Sequence, residues 1–142
     1  MRRALVAVDN SEHSLRAVRF AISLANDNGP LALHLVTVHE EPLIYGEIAV
    51  YVTREKMEEL QRRHSEGVLA PAEAMLKEAG VPYEREIVIG PVAHGIADCA
   101  TRRGCDAIVM GCRGHGAVGN LVLGSVATKV LHLAHIPVVV VK

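Results

Sequence analysis

Short unbroken apolar runs alternate with helix-period segments along this chain, and few folds accept that alternation. Ala4-Leu5-Val6-Ala7-Val8, Leu31 to Val38, Tyr83 to Ile89, Ala107-Ile108-Val109-Met110 and Pro137-Val138-Val139-Val140-Val141 each read as a strand. Taken together they are apolar runs and not in-out alternations, the pattern of a parallel sheet covered on both faces. Between the first two, Leu15, Val18, Ile22 and Ala25 recur at helical spacing. They predict a helix over about residues 11–27, opened by the turn and cap chemistry of Asp9-Asn10-Ser11 and stopped by Asn28-Gly29-Pro30. A second helix is predicted from about Thr53 to Ala79, with Met57, Leu60, Leu69, Ala72 and Leu76 as core positions. Pro71 is expected to kink or divide it, and Gly80-Val81-Pro82 to end it. A third starts at Gly90-Pro91, since proline suits the first helical position, and ends near Gly104. A fourth runs from about Ser125 to Ala134. Strands joined by helices in this order give an open α/β sandwich.

The chain has 142 residues and shows no internal repeat, linker or low-complexity tract. It is read as one domain over residues 1–142, long enough to bury a core. The connection over residues 40–52 carries Leu43, Ile44, Tyr45, Ile48, Val50 and Tyr51 and exceeds the usual few residues. An oligomer contact or a packed loop suits it better than a lid.

Charge excludes some functions. The formal net charge is -1, which lacks the basic footprint of a nucleic-acid binder. Phe20, Tyr45, Tyr51 and Tyr83 are the only aromatics, too few for a base-stacking surface. The apolar stretch before Asp9 is too short for a signal-peptide core, and no run approaches transmembrane length. Cys99, Cys105 and Cys112 lack tight metal spacing and read as reduced thiols of a cytosolic protein. His132 and His135 could share a helix face but have no third ligand in view, so helix-terminal or solvent-exposed roles suit them better than a metal site.

Five of the twelve glycines fall in Gly111 to Ser125, GCRGHGAVGNLVLGS. Glycine serves where backbone turns sharply or approaches something closely. Gly114 to Gly119 spells G-x-G-x-x-G, yet no second strand with an acidic residue follows at the dinucleotide-fold distance. Gly119 to Ser125 lacks the lysine of a P-loop, and Val122 and Leu123 are too bulky to wrap a phosphate. Gly124-Ser125-Val126-Ala127 lacks the second glycine of a nucleophile elbow. What remains is Gly111, two residues, Gly114, nine residues, then Gly124-Ser125. A strand-ending Gly111 stands where open α/β sheets place ligands. Gly114 lets backbone approach phosphate oxygens. Gly124 and Ser125 begin a helix, whose free N–H groups favour an anion. Ser125 adds a hydroxyl, or serves as a plain N-cap.

This spacing resembles the ATP-binding motif of the universal stress protein family. The resemblance spans the chain, from Val8-Asp9 through Gly90-Pro91 and Met110-Gly111 to the C-terminal valines. It implies five parallel strands in the order 3-2-1-4-5 with helices on both faces, which sets Asp9 opposite Gly111. It implies that Asp9 meets a ribose hydroxyl, the alternative being a cap for the first helix. Backbone at Val38 would read the adenine edge, and Ala7, Met110 and Val126 would supply walls or backbone. Arg113 and His115 would touch phosphates or stay solvated. Cys112 departs from the serine or threonine frequent in the family, which changes packing near the loop. The related ATP-pyrophosphatase branch uses a glycine- and serine-rich loop after strand one, whereas Asp9 to Ser14 holds no glycine. No carboxylate lies between Gly111 and Ser125, so Mg2+ would be held mainly by phosphates and water. The implied function is a cytosolic nucleotide-dependent regulator or sensor that binds ATP or another adenine nucleotide. A slow ATPase or phosphotransferase and a ligand-free interaction module are the rivals. The resemblance also implies a homodimer through the C-terminal strand and a client protein that the sequence does not name.

Overall fold

The computed structural model describes residues 1–27, 29–40, 53–113 and 123–142. Among the described residues five strands and four helices alternate: β1 (Arg3–Ala7), α1 (Glu12–Asp27), β2 (Ala32–His39), α2 (Arg54–Ala79), β3 (Tyr83–Ile89), α3 (Val92–Arg102), β4 (Ala107–Gly111), α4 (Ser125–Leu133) and β5 (Val138–Val141). The strands form one sheet in the order β3-β2-β1-β4-β5, every pairing parallel. The fold and strand order implied by the resemblance are those observed. The 40–52 connection, apart from Glu40, lies outside the described residues, as do Gly114, His115 and residues 116–122.

The absence of alternation in β1 has a direct cause. Ala4 and Val6 face one layer with Leu33, Leu35 and Val109, against Ala17, Val18 and Ala21 of α1 and Val68, Leu69, Ala72 and Leu76 of α2. Leu5 and Ala7 face the other with Val36, Val38 and Ile108, against Ala93, Ile96, Cys99 and Ala100 of α3 and Ala127 and Val130 of α4. Successive side chains point to opposite faces, and both faces are dry, so both must be apolar. The edge strand β3 departs from that pattern. Glu84, Arg85 and Glu86 interrupt it, and much of it is exposed. Charge on an edge strand discourages pairing with another chain.

The second helix corrects two expectations. Pro71 does not divide α2, which runs from Arg54 to Ala79. The ring removes the hydrogen bond to the Gly67 carbonyl one turn earlier, but Gly67 and Pro71 are both exposed and water can serve that oxygen. Val68, Leu69, Ala72 and Leu76, buried on either side of Pro71, hold the helix down. Leu60 is 46% exposed and Met57 only half-buried, so the predicted core stripe fails over the first turns. A 26-residue helix is about 39 Å long, while the eight residues of β2 span only about 26 Å. The surplus has no sheet beneath it. Thr53 caps the start, accepting from the Lys56 N–H at 3.1 Å, and Gly80 ends the helix in the left-handed region at φ 69°.

Pro71→Ala restores the missing donor on a solvent face. We expect it to stabilise the protein by about 1–2 kcal/mol, less than the full helix-interior proline penalty because alanine also frees the unfolded chain. Denaturant unfolding measures this, and a destabilised variant contradicts it.

Candidate functional site

The C-terminal ends of β1 and β4 stand side by side at the centre of the sheet, where the chain leaves in opposite directions to α1 and toward α4. A cleft opens there. Its walls include Ala7, Asp9, Val38, Met110, Gly111, Arg113 and Val126, all singled out from sequence. Gly124 and Ser125 do not line it; they are the cap and first residue of the helix that brings Val126 and Ala127 to the wall. Gly114 and His115 lie outside the described residues.

The loop after β1 is built on its own side chains. Asp9 Oδ1 accepts from the Ser11 N–H at 2.7 Å, closing an Asx turn. Ser11 Oγ accepts from the Ser14 N–H at 3.2 Å, so Ser11 is the cap of α1 and the capping alternative for Asp9 falls away. Ser14, only 2% exposed, accepts from the Asp9 N–H at 3.2 Å and donates back to the Asp9 carbonyl at 2.9 Å. The aspartate is thereby fixed at its backbone and at one carboxylate oxygen. Among the described residues Oδ2 has no hydrogen-bond partner. Ser14 was missed from sequence. The available signal was a small polar residue three positions after a capping serine, on the face that Ala17 and Val18 bury.

Opposite, α4 starts without a side-chain cap. Gly124 is the cap residue, in extended backbone, and its carbonyl accepts from the Thr128 N–H at 3.0 Å and from Thr128 Oγ1 at 2.8 Å. That is the first bond of the helix, so the N–H groups of Ser125, Val126 and Ala127 have no acceptor within it. No acidic residue occupies the first turn. Ser125 is thus the first helical residue and not the cap, and its exposed hydroxyl has no partner among the described residues. An uncapped helix start with a free hydroxyl favours an anion.

Two close approaches fix the cleft's shape. A Cβ built on Gly111 would stand 2.7 Å from the carbonyl carbon and the Cβ of His13, so the end of β4 lies directly against the first turn of α1. A Cβ on Gly95 would stand 2.7 Å from Val38 Cγ1, so α3 rides equally close on the end of β2. Cys112 is buried. Its N–H donates to the Val141 carbonyl at 2.8 Å, its carbonyl accepts from the Gly124 N–H at 2.6 Å, and Sγ lies 3.5 Å from His13 Nδ1. The residue that departs from the family pattern therefore pins the loop's departure from β4 to its return at α4 through main-chain bonds that any side chain allows.

A larger cavity, about 760 Å³, opens at the opposite edge of the sheet among Arg2, Leu33, His34, Pro82 and Tyr83. It has neither an uncapped helix start nor a strand C-terminus, so the smaller cleft is the better candidate. No helix among the described residues is long and apolar enough to cross a membrane. Cys99, Cys105 and Cys112 are all buried and free.

The model of the universal stress protein family matches residues 1–142. A universal stress protein of Thermus aquaticus is 38% identical over 97% of this chain and 96% of its own. The universal stress protein YxiE of Bacillus subtilis is 32% identical over 99% of this chain and 98% of its own. Among solved structures, the universal stress protein of Archaeoglobus fulgidus in complex with dAMP has a TM-score of 0.67 at 26% identity, covering 100% of this chain and 98% of that one. With the family matched from end to end, and the strand order and C-terminal cleft in place, this chain belongs to the universal stress protein family.

Proposed function

We propose that this protein is a cytoplasmic, adenine-nucleotide-dependent regulator or sensor that takes ATP or another adenine nucleotide in the cleft between β1 and β4. The observation that carries the reading is the uncapped start of α4, with the N–H groups of Ser125, Val126 and Ala127 and the Ser125 hydroxyl left for an anion beside a fixed Asp9. The dAMP complex of the Archaeoglobus fulgidus relative supports an adenine nucleotide as the ligand. Phosphates would meet α4 and Arg113, the ribose Asp9 Oδ2, and the base the backbone at Val38, with Ala7, Met110 and Val126 as apolar walls. Mg2+ would be held by phosphates and water. The described walls enclose only about 60 Å³, so a nucleotide would lie along the mouth of the cleft with part of its surface seated there. We also propose that two copies pair through β5.

Calorimetric titration with ATP, AMP and dAMP tests the reading. Ser125→Ala should weaken binding about fivefold, the loss of one hydroxyl hydrogen bond worth about 1 kcal/mol. Asp9→Asn keeps an oxygen for the Ser11 N–H, so the Asx turn and the melting temperature should persist while affinity falls. No heat from any of the three nucleotides at millimolar concentration would remove the function. Unchanged affinity in Asp9→Asn would remove Asp9 alone.

A further inference from the structure

The face of the sheet beneath α3 carries a polar cluster that the nucleotide cleft does not use. His34 stands on β2, Glu86 on β3 and Cys99 on α3. His34 and Cys99 are 3% and 0% exposed, and the Glu86 side chain 19%. Cys99 Sγ donates to Glu86 Oε2 at 2.9 Å. His34 Nε2 lies 3.6 Å from the same oxygen, too far for a hydrogen bond, and is a buried nitrogen with no hydrogen-bond partner. Such an orphan costs about 1–3 kcal/mol and calls for a reason. One imidazole nitrogen, one carboxylate oxygen and one sulfur all lie within 4.8 Å of one another.

We propose that His34 Nε2, Glu86 Oε2 and Cys99 Sγ form a binding site for a thiolate-accepting divalent cation of the zinc type, with water as the fourth ligand. Zinc holds nitrogen and oxygen at about 2.0–2.2 Å and sulfur at about 2.3 Å in a tetrahedron, which sets ligand atoms about 3.3–3.6 Å apart. The His34–Glu86 separation already fits, and the Cys99–Glu86 pair must open by about 0.6 Å to reach it. The outer groups are also placed. Glu84 Oε2 lies 3.7 Å from His34 Nδ1, on the side from which a carboxylate orients a metal-bound imidazole. Arg102 holds Glu86 Oε1 at 3.1 Å, leaving Oε2 as the inward oxygen. Arg103 Nε stands 3.5 Å from Oε2 and has to swing aside. His34 also forms part of the wall of the 760 Å³ cavity, which gives an approach from solvent.

The protonation states set what a metal ion has to displace. Burial, and then the Arg103 charge, lowers the His34 pKa, so the ring is neutral. Burial would raise Glu86, but hydrogen bonds from Cys99, Arg102 and Arg103 hold it down to about 2. Burial and the Glu86 carboxylate push the Cys99 thiol up to about 12, so the metal must displace its proton. One S–H bond breaks, one S–metal bond forms, and the proton leaves to solvent. The new thiolate charge offsets Arg102 and Arg103, which otherwise oppose a cation.

Titration of the tag-free full chain with Co2+ alone reads this out, because thiolate-bound cobalt gives a near-ultraviolet charge-transfer band. We expect the band at one equivalent, its loss on adding Zn2+, and release of one proton in calorimetry run in buffers of different ionisation enthalpy. Cys99→Ser should abolish the band, His34→Gln and Glu86→Gln should weaken cobalt binding at least tenfold, and Cys105→Ser and Cys112→Ser should leave it unchanged. A parent chain that gives no band overturns the proposal without recourse to any variant. So does a band that survives in folded Cys99→Ser, or cobalt affinity unchanged in both His34→Gln and Glu86→Gln.

Discussion

Gly111→Val should cost about 3 kcal/mol or more and lower the melting temperature by about 10 °C. The reason lies in α1, not in a ligand. Any Cβ at position 111 meets His13 backbone at 2.7 Å, and backbone in the first turn of a helix cannot step aside as a side-chain tip can. Ser11 and Ser14 tie that turn to Asp9, so relief would have to move the loop after β1 or part β4 from β1. Gly111→Ala should show a smaller loss of the same kind, and the order glycine, alanine, valine is the signature of a steric cause. Thermal unfolding without nucleotide isolates it. An alanine variant that melts with the parent would mean that the close approach is relieved at no cost. The first glycine of the motif would then serve the ligand alone.

Val140→Pro should give a folded monomer, and Val139→Pro a damaged sheet. On the side facing β4, Pro137 and Val141 offer their carbonyls to the N–H groups of Ile108 and Cys112. In a strand, N–H and C=O of one residue point the same way and neighbours alternate. Residues 137, 139 and 141 therefore face β4, while 138 and 140 point their backbone groups outward from the sheet. Proline at 139 removes a donor to β4 and should cost about 3 kcal/mol, whereas proline at 140 removes only an edge donor. That edge is where a second copy would pair around a twofold axis. Sedimentation or light scattering at micromolar concentration, with unfolding run in parallel, separates the outcomes. A monomeric parent would end the dimer proposal, and a Val140→Pro dimer would move the interface elsewhere.

What the sequence determined by itself is the layered fold and the strand and helix ends that carry the candidate site. Val6, Leu35 and Val109 belong to one layer, and Leu5, Val36 and Ile108 to the other. Runs with no polar break fit only a strand buried on both faces, so two core layers follow from composition along each run. Gly124-Ser125 at a helix start and Asp9 after a strand were legible because caps and turns are local. The strand order was legible only through the family resemblance, since apolar runs alone do not say which strand neighbours which. Other features needed the tertiary structure because they join residues far apart in the chain. Whether Leu60 is core depends on how far α2 outruns the sheet, and whether Pro71 breaks the helix depends on which way its lost carbonyl faces. Gly111 reads as a strand-ending glycine that makes room for a ligand until α1 is seen against it. Which valine of β5 faces outward is a matter of register with β4. His34, Glu86 and Cys99 are separated by 52 and 13 residues, a spacing that no local motif describes. Only the pairing of β2 with β3, and the crossing of α3 above them, brings a nitrogen, an oxygen and a sulfur together.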